Sequence, residues 1–289
     1  MTLISFSRDK FIPSEEVALN IKSNFLSIVR GYQVFTFFKT VNNGNPVFLD
    51  DHIDRVFSNA NDMKMKISHS KEDIKSLVLE TLEKNDFSVG ECNVMILLAG
   101  TTPSDNSGLI SSNFVDLFII TSPIKIYPSD SYKKGISLGL YEYERIDAEI
   151  KTPYTYYGGV KAQQAHVQNG KFDEVLFTSD GNILEGTTFS FFAIKNDTVI
   201  TPKADGRILG SVTRKNLIRI MQDHQIDYIE HSISVDDINN FSEAFIASAN
   251  RDIIPVVNIN NHSIGEGRVG LIYHKLMALY QEEILKNTI

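Results

Sequence analysis

Leu184-Glu185-Gly186-Thr187-Thr188, with Ile150-Lys151-Thr152 placing its lysine 34 positions before that glutamate, is the part of this 289-residue chain whose reading decides the fold. A lysine amine held in a folded site forms a Schiff base with an aldehyde, and a carboxylate set against a pyridine ring keeps the ring nitrogen protonated. Both residue types mostly sit solvated on protein surfaces, so the pair takes its meaning from its surroundings.

Around the glutamate, the apolar runs at residues 174–178 and 189–194 are short enough for buried strands, and 136–143, 198–201, 243–247 and 256–259 repeat the signal. Helices are expected over 211–222 and over 269–286, where Val269, Ile272, Tyr273, Leu276, Leu279 and Tyr280 form an apolar stripe. Upstream, Asp50 and Asp51 are good N-caps for a helix carrying Ile53, Val56, Phe57, Ala60 and Met63 at helical spacing, and a second helix is expected over 71–84. Residues 94–99 and 114–120 read as buried strands, with a Thr-, Ser-, Gly- and Asn-rich loop over 100–112. Ser122-Pro123 and Tyr127-Pro128 disfavour helix, because each proline restricts the residue before it. The expected architecture is α/β, in the α+β sense, with two domains. A small domain spans 1–121, a linker 122–129, and a larger strand-rich domain 130–289 carries Lys151.

Composition bounds the partners. An apolar content of 42% is ample for a core, while a net charge of -8 and a pI near 5.4 argue against a nucleic-acid partner. The N-terminus has no apolar core of signal-peptide length, and no window approaches the roughly 18 apolar residues of a membrane span. A cytoplasmic protein acting on small molecules, away from membranes, is expected. The single cysteine, Cys92, lies in an apolar run and reads as a buried inert thiol, and the seven histidines show no ligand spacing, so no metal site is expected.

A phosphate dianion calls for backbone N–H groups, hydroxyls and usually an arginine, and a helix N-terminus supplies the amides. Leu209-Gly210-Ser211-Val212-Thr213-Arg214 meets that description: Gly210 allows a tight turn, Ser211 can cap, and the amides of Val212 and Thr213 would point out of the first turn. An ordinary capped helix would read the same way. Arg55, in Asp51-His52-Ile53-Asp54-Arg55, lies beside the apolar stripe of its helix, where a guanidinium either stays at the surface or turns inward to an anion.

His52-Ile53-Asp54-Arg55, Ile150-Lys151-Thr152, Leu184-Glu185-Gly186-Thr187-Thr188 and Gly210-Ser211-Val212-Thr213-Arg214 occur in the order and spacing of the fold-type IV pyridoxal-phosphate enzymes. From about Phe25 to Val256 the chain resembles that family, which includes branched-chain aminotransferases, D-amino-acid transaminases and aminodeoxychorismate lyase. The resemblance implies a D-amino-acid aminotransferase-like fold, pyridoxal 5'-phosphate as cofactor, a homodimer, and amino transfer between an amino acid of branched-chain or D type and a 2-keto acid. It implies Lys151 as Schiff-base lysine and proton shuttle, Glu185 as partner of the pyridine nitrogen, and Arg55, the Val212 and Thr213 amides and the Thr213 hydroxyl as phosphate ligands. Tyr156 matches the family's tyrosine on the cofactor's ring oxygen, with Tyr154 and Tyr157 near enough to compete, and Lys161 reads as structural. In Ala247-Ser248-Ala249-Asn250, Ala249 stands where the family has threonine, leaving a backbone contact or the Ser248 hydroxyl for the phosphate.

The chain departs from the family in Arg30-Gly31-Tyr32-Gln33-Val34-Phe35-Thr36-Phe37. The Arg-Gly-Tyr step resembles a subgroup of D-amino-acid transaminases whose arginine helps to bind substrate carboxylate, which makes Arg30 a candidate clamp; the subgroup's second arginine would fall near Thr188. A buried guanidinium here would need an anion, from substrate or protein. Thr36 stands where transaminases have an acidic residue and lyases a threonine. By that resemblance Thr36 is a candidate substrate contact and an argument for the alternative reading, a 4-amino-4-deoxychorismate lyase releasing pyruvate and 4-aminobenzoate, although threonine is common in strands.

Overall fold

Gln33-Val34-Phe35-Thr36-Phe37-Phe38-Lys39-Thr40-Val41 alternates its side chains between two faces, and Val34, Thr36, Phe38 and Thr40 are buried while their neighbours are half-buried. In the computed structural model, which describes residues 2–103, 109, 113–124 and 127–286, this run is a strand of a six-stranded sheet. The sheet comprises β1 (Ile4–Ser7), β2 (Lys10–Pro13), β3 (Gln33–Val41), β4 (Asn45–Pro46), β5 (Cys92–Ala99) and β6 (Asp116–Pro123), in the order β2-β1-β6-β5-β3-β4. With it fold α1 (Phe25–Arg30), α2 (Leu49–Asp62) and α3 (Lys71–Glu83). Ile53, Val56 and Ala60 of α2 and Ile74, Val78 and Leu82 of α3 share a core with Val34, Phe38, Val94, Ile96 and Leu98. Fully burying one of the larger aliphatic side chains contributes about 1.5–3 kcal/mol.

Several boundaries differ from expectation. The α2 helix begins at Leu49, just before Asp50 and Asp51, the expected caps; its cap is Phe48, in left-handed conformation (φ 51°) with its ring buried. The two aspartates instead occupy the first turn, at the positive end of the helix dipole. Ser122-Pro123, read as the start of the linker, closes β6 opposite Cys92, since the extended backbone that a proline imposes on its predecessor suits a strand end. Residues 104–108 and 110–112 of the expected loop, and 125–126 of the expected linker, lie outside the described residues.

The second unit is built on a ten-stranded mixed sheet. Its strands are β7 (Ile136–Glu142), β8 (Glu174–Ser179), β9 (Asn182–Gly186), β10 (Ser190–Lys195), β11 (Thr198–Thr201), β12 (Tyr228–Glu230), β13 (Ile233–Ser234), β14 (Glu243–Ser248), β15 (Asp252–Ile259) and β16 (His262–Ser263). The order is β12-β11-β10-β14-β15-β7-β8-β9-β13, with β16 on β15. The helices are α4 (Ser129–Lys134), α5 (Tyr157–His166), α6 (Val212–Asp223) and α7 (Leu271–Lys286).

One segment crosses from where the sequence puts it. The expectation that Lys151 belongs to the later domain is corrected, because Ile150–Tyr154 packs with Met1–Lys125, while the second unit takes Ile126–Glu149 and Thr155–Lys286. The cause is an open strand edge. β3 pairs with β5 along its length but with β4 only at Thr40 and Val41. The Phe35 N–H therefore points outward and donates to the Lys151 carbonyl at 3.0 Å.

Candidate active site

Lys151 is gripped by its backbone. Its N–H donates to Asn59 Oδ1 at 2.9 Å while its carbonyl takes the Phe35 N–H, and its ammonium lies 4.9 Å from the centre of the Phe35 ring. Three residues on, the Tyr154 hydroxyl donates to the Val29 carbonyl at 2.9 Å, and the Tyr154 ring lies so close to Gly31 that a Cβ there would come within 2.0 Å of it. Gly31 also closes α1 at φ 73°, so both space and conformation require glycine. The segment around the lysine is thus seated on β3, α1 and α2.

The grip on α2 belongs to a buried polar stripe. His52, Arg55 and Asn59 recur at helical spacing on one side, and His52 and Asn59 are buried beside Ile53, Val56 and Ala60. Arg55 NH2 donates to Thr36 Oγ1 at 2.7 Å, and Thr36 Oγ1 lies 2.8 Å from His52 Nδ1. Thr36 is fully buried, on the α2 face of β3 and opposite Phe35. Burial first, then the charges of Arg55 and Lys151, hold the His52 imidazole well below its ordinary pKa of about 6.5, so it stays neutral in the fold. An unfolded histidine takes a proton as pH falls through about 6.5 and the folded one does not, so stability is lost on acidification. His52→Asn should therefore flatten the fall in thermal stability between about pH 6.5 and 5, by up to about 1.4 kcal/mol per pH unit. An unchanged slope in melts across that range would show that His52 titrates normally.

In the second unit, Glu185 is buried at the end of β9, where Oε1 lies 3.3 Å from Arg145 NH1 and Oε2 accepts the Leu209 N–H at 3.2 Å. The glutamate motif and the candidate phosphate motif are thereby joined directly. Arg145 is buried too; it donates to the Gly186 and Thr187 carbonyls, and its guanidinium lies over the rings of Tyr156 (5.2 Å) and Phe177 (5.4 Å). Tyr156 is half-buried beside this pair, whereas Tyr154 and Tyr157 are 57% and 69% exposed. Lys161 is exposed on α5, near the Tyr157 ring.

Ser211 caps α6, its hydroxyl accepting the Arg214 N–H at 3.3 Å. At a helix start the amides of Val212 and Thr213 have no acceptor within the helix, and a Cβ on Gly210 would meet nothing within 4 Å. This donor set fits an anion such as a phosphate ester. Arg214 turns the other way, into Thr201, the Pro202 carbonyl and Glu230. Thr213 is buried and hydrogen-bonded to Tyr280 of α7, whose phenol burial pushes far above its ordinary range. Ser248 ends β14 with its hydroxyl on Asn250 Oδ1 at 3.3 Å, and Ala249 is half-buried in the turn that follows. Arg30 is exposed at the end of α1, 5.8 Å from the Phe25 ring centre, so its guanidinium is not a buried charge in need of an anion. The short α1 leaves its last residue at the surface.

Sequence reasoning missed His52 and Asn59 beside Arg55, and Arg145 beside Glu185. The first two had a signal, since they share helical spacing with Arg55. Arg145, in Tyr143-Glu144-Arg145, carries no local mark of burial, and its partner lies 40 residues away.

An amine for a Schiff base, a carboxylate for a ring nitrogen and a helix end for a phosphate are the groups required by enzymes that work through pyridoxal phosphate. Comparison with known proteins narrows the class. The family described as Amino-transferase class IV matches residues 33–259, and the chain belongs to it. Over 264 residues it is 25% identical to the D-alanine aminotransferase of Bacillus licheniformis, covering 90% of this chain and 91% of that protein. It is 24% identical over 245 residues to the branched-chain-amino-acid aminotransferase of Pseudomonas aeruginosa, covering 82% and 78%. Among solved structures, the branched-chain amino acid aminotransferase of Escherichia coli matches with a TM-score of 0.89 at 18% identity, covering 100% of this chain and 97% of that one. That of Thermobaculum terrenum in its PLP-form matches with a TM-score of 0.86 at 20% identity, covering 99% and 95%. The fold is that of the fold-type IV enzymes, and the chain is an aminotransferase of this pyridoxal-phosphate-dependent family. No helix among the described residues is long and apolar enough to cross a membrane.

Proposed function

We propose that the chain binds pyridoxal 5'-phosphate on Lys151 and moves an amino group between an amino acid, of branched-chain or D type, and a 2-keto acid, as a cytoplasmic homodimer. The observation that carries this reading is the lysine itself: both polar groups of its backbone are pinned, so its side chain starts from a fixed point. Bound there, the cofactor supplies an aldehyde for the amine and an electron sink for the substrate's Cα. Lys151 carries the proton to and from that carbon. Glu185 accepts the ring N–H, its carboxylate held in place by Arg145 and by the Leu209 amide. Tyr156 orients the ring oxygen. Arg55, the Val212 and Thr213 amides and the Thr213 hydroxyl hold the phosphate, with the Ala249 backbone or the Ser248 hydroxyl beside them.

Because Arg30 is exposed, burial does not force a protein carboxylate on it, and a substrate carboxylate is its proposed anion. Thr36, the one residue that favoured a lyase, has its hydroxyl engaged with Arg55 and His52. The test is borohydride reduction with peptide mapping, alongside a screen of D-alanine and branched-chain L-amino acids for keto-acid formation. The expected result is a pyridoxyl label on Lys151 and turnover of at least one donor. A label on Lys161, or pyruvate release from 4-amino-4-deoxychorismate with no transamination, would replace this reading.

A further inference from the structure

The buried contact between β3 and α2 has a direction. A guanidinium only donates hydrogen bonds, so the Arg55 NH2 group, 2.7 Å from Thr36 Oγ1 and 3.4 Å from His52 Nδ1, makes an acceptor of each. The single Thr36 hydroxyl proton must then point at His52 Nδ1, 2.8 Å away. The imidazole proton is thereby assigned to Nε2. A proton on Nδ1 instead would set an N–H against the donors of Arg55 NH2, 3.4 Å away. The neutral state of this fully buried ring agrees with that assignment.

We propose that Thr36 and His52 are positioning residues: the chain Arg55 N–H to Thr36 Oγ1–H to His52 Nδ1 fixes the rotamer of Arg55 in which its guanidinium meets the cofactor phosphate. This rests on the assignment of Arg55 to the phosphate and deepens it. An arginine side chain gives up considerable rotamer freedom when it orders on a ligand, and a partner that orders it beforehand lowers that cost. Thr36 suits the task because its hydroxyl both accepts and donates. A β-branched residue also has a stiff χ1, which keeps the hydroxyl aimed at α2. The role of Thr36 is therefore alignment of Arg55 on the α2 side of β3.

The full-length chain, stripped of cofactor, is titrated with pyridoxal 5'-phosphate and separately with pyridoxal, which lacks the phosphate. Thr36→Val keeps the shape and removes the hydroxyl. It should bind pyridoxal 5'-phosphate roughly five- to tenfold more weakly and leave pyridoxal affinity unchanged. Thr36→Ser should stay within about twofold of the wild type for both ligands. In an Arg55→Ala background, Thr36→Val should add no further loss, because the group it aligns is gone. His52→Leu, which removes the acceptor at Nδ1, keeps the test open should the valine variant fold poorly, and should weaken pyridoxal 5'-phosphate binding while leaving pyridoxal affinity unchanged. Equal weakening of both ligands by Thr36→Val, or no weakening at all, overturns the relay while Arg55→Ala still loses pyridoxal 5'-phosphate. No loss in Arg55→Ala itself overturns the phosphate assignment beneath it.

Discussion

Lys151→Ala should abolish amino transfer, with the half-reaction slowed by at least about a thousandfold. It removes both the amine that carries the cofactor and the base that moves the Cα proton, and proton transfer by a positioned group alone is worth about 10²–10⁴. The fold should survive, because the bonds that seat this segment, from Lys151 N–H to Asn59 and from Phe35 N–H to the Lys151 carbonyl, are made by the backbone. Among the contacts alanine gives up is the ammonium over Phe35, worth about 0.5–1 kcal/mol. The measurement is cofactor absorbance on mixing with an excess of amino donor, with a thermal melt on the same sample. A variant with a wild-type melt and a rate within tenfold of wild type would move the catalytic amine to another residue.

Local chemistry was legible in the sequence where local spacing creates it. Ser211 with Arg214 three residues on reads as a cap and is one, and the strand at residues 94–99 is buried on both faces, as its unbroken apolar run implies. Lys151 defeated the same reading because its unit is decided by a bond to Asn59, 92 residues away, and by an edge of β3 that β4 leaves open. Neither feature has a period. Thr36 shows a subtler limit. Its position in the alternating strand was readable, but which face of β3 meets α2 depends on where Arg55 and His52 project, and only the packed structure shows that. Arg145 illustrates the limit of composition: arginine reads as surface, and here it is buried because Glu185 and two carbonyls compensate its charge.

Glu185→Gln should leave the cofactor bound through Lys151 and slow the half-reaction by roughly a hundredfold or more, a loss of the size seen when a fixed electrostatic partner is removed. The amide still offers an oxygen, yet it cannot hold the ring nitrogen protonated by charge. The structure adds a second consequence. Arg145 faces this carboxylate at 3.3 Å in a buried setting, so the glutamine leaves a cation facing a neutral group. Breaking a buried pair from one side costs about 3–5 kcal/mol, and the Gly186 and Thr187 carbonyls that Arg145 retains put the expected value at the lower end. Slower chemistry and a lower melting temperature would therefore arrive together, and the first could be mistaken for the second. Arg145→Met in the Glu185→Gln background separates them, because an apolar side chain over Tyr156 and Phe177 removes the stranded charge. The double variant should regain much of the lost stability and none of the lost rate. Recovery of the half-reaction in step with the melting temperature would show that Glu185 serves the fold alone, and the partner of the ring nitrogen would then have to be sought elsewhere.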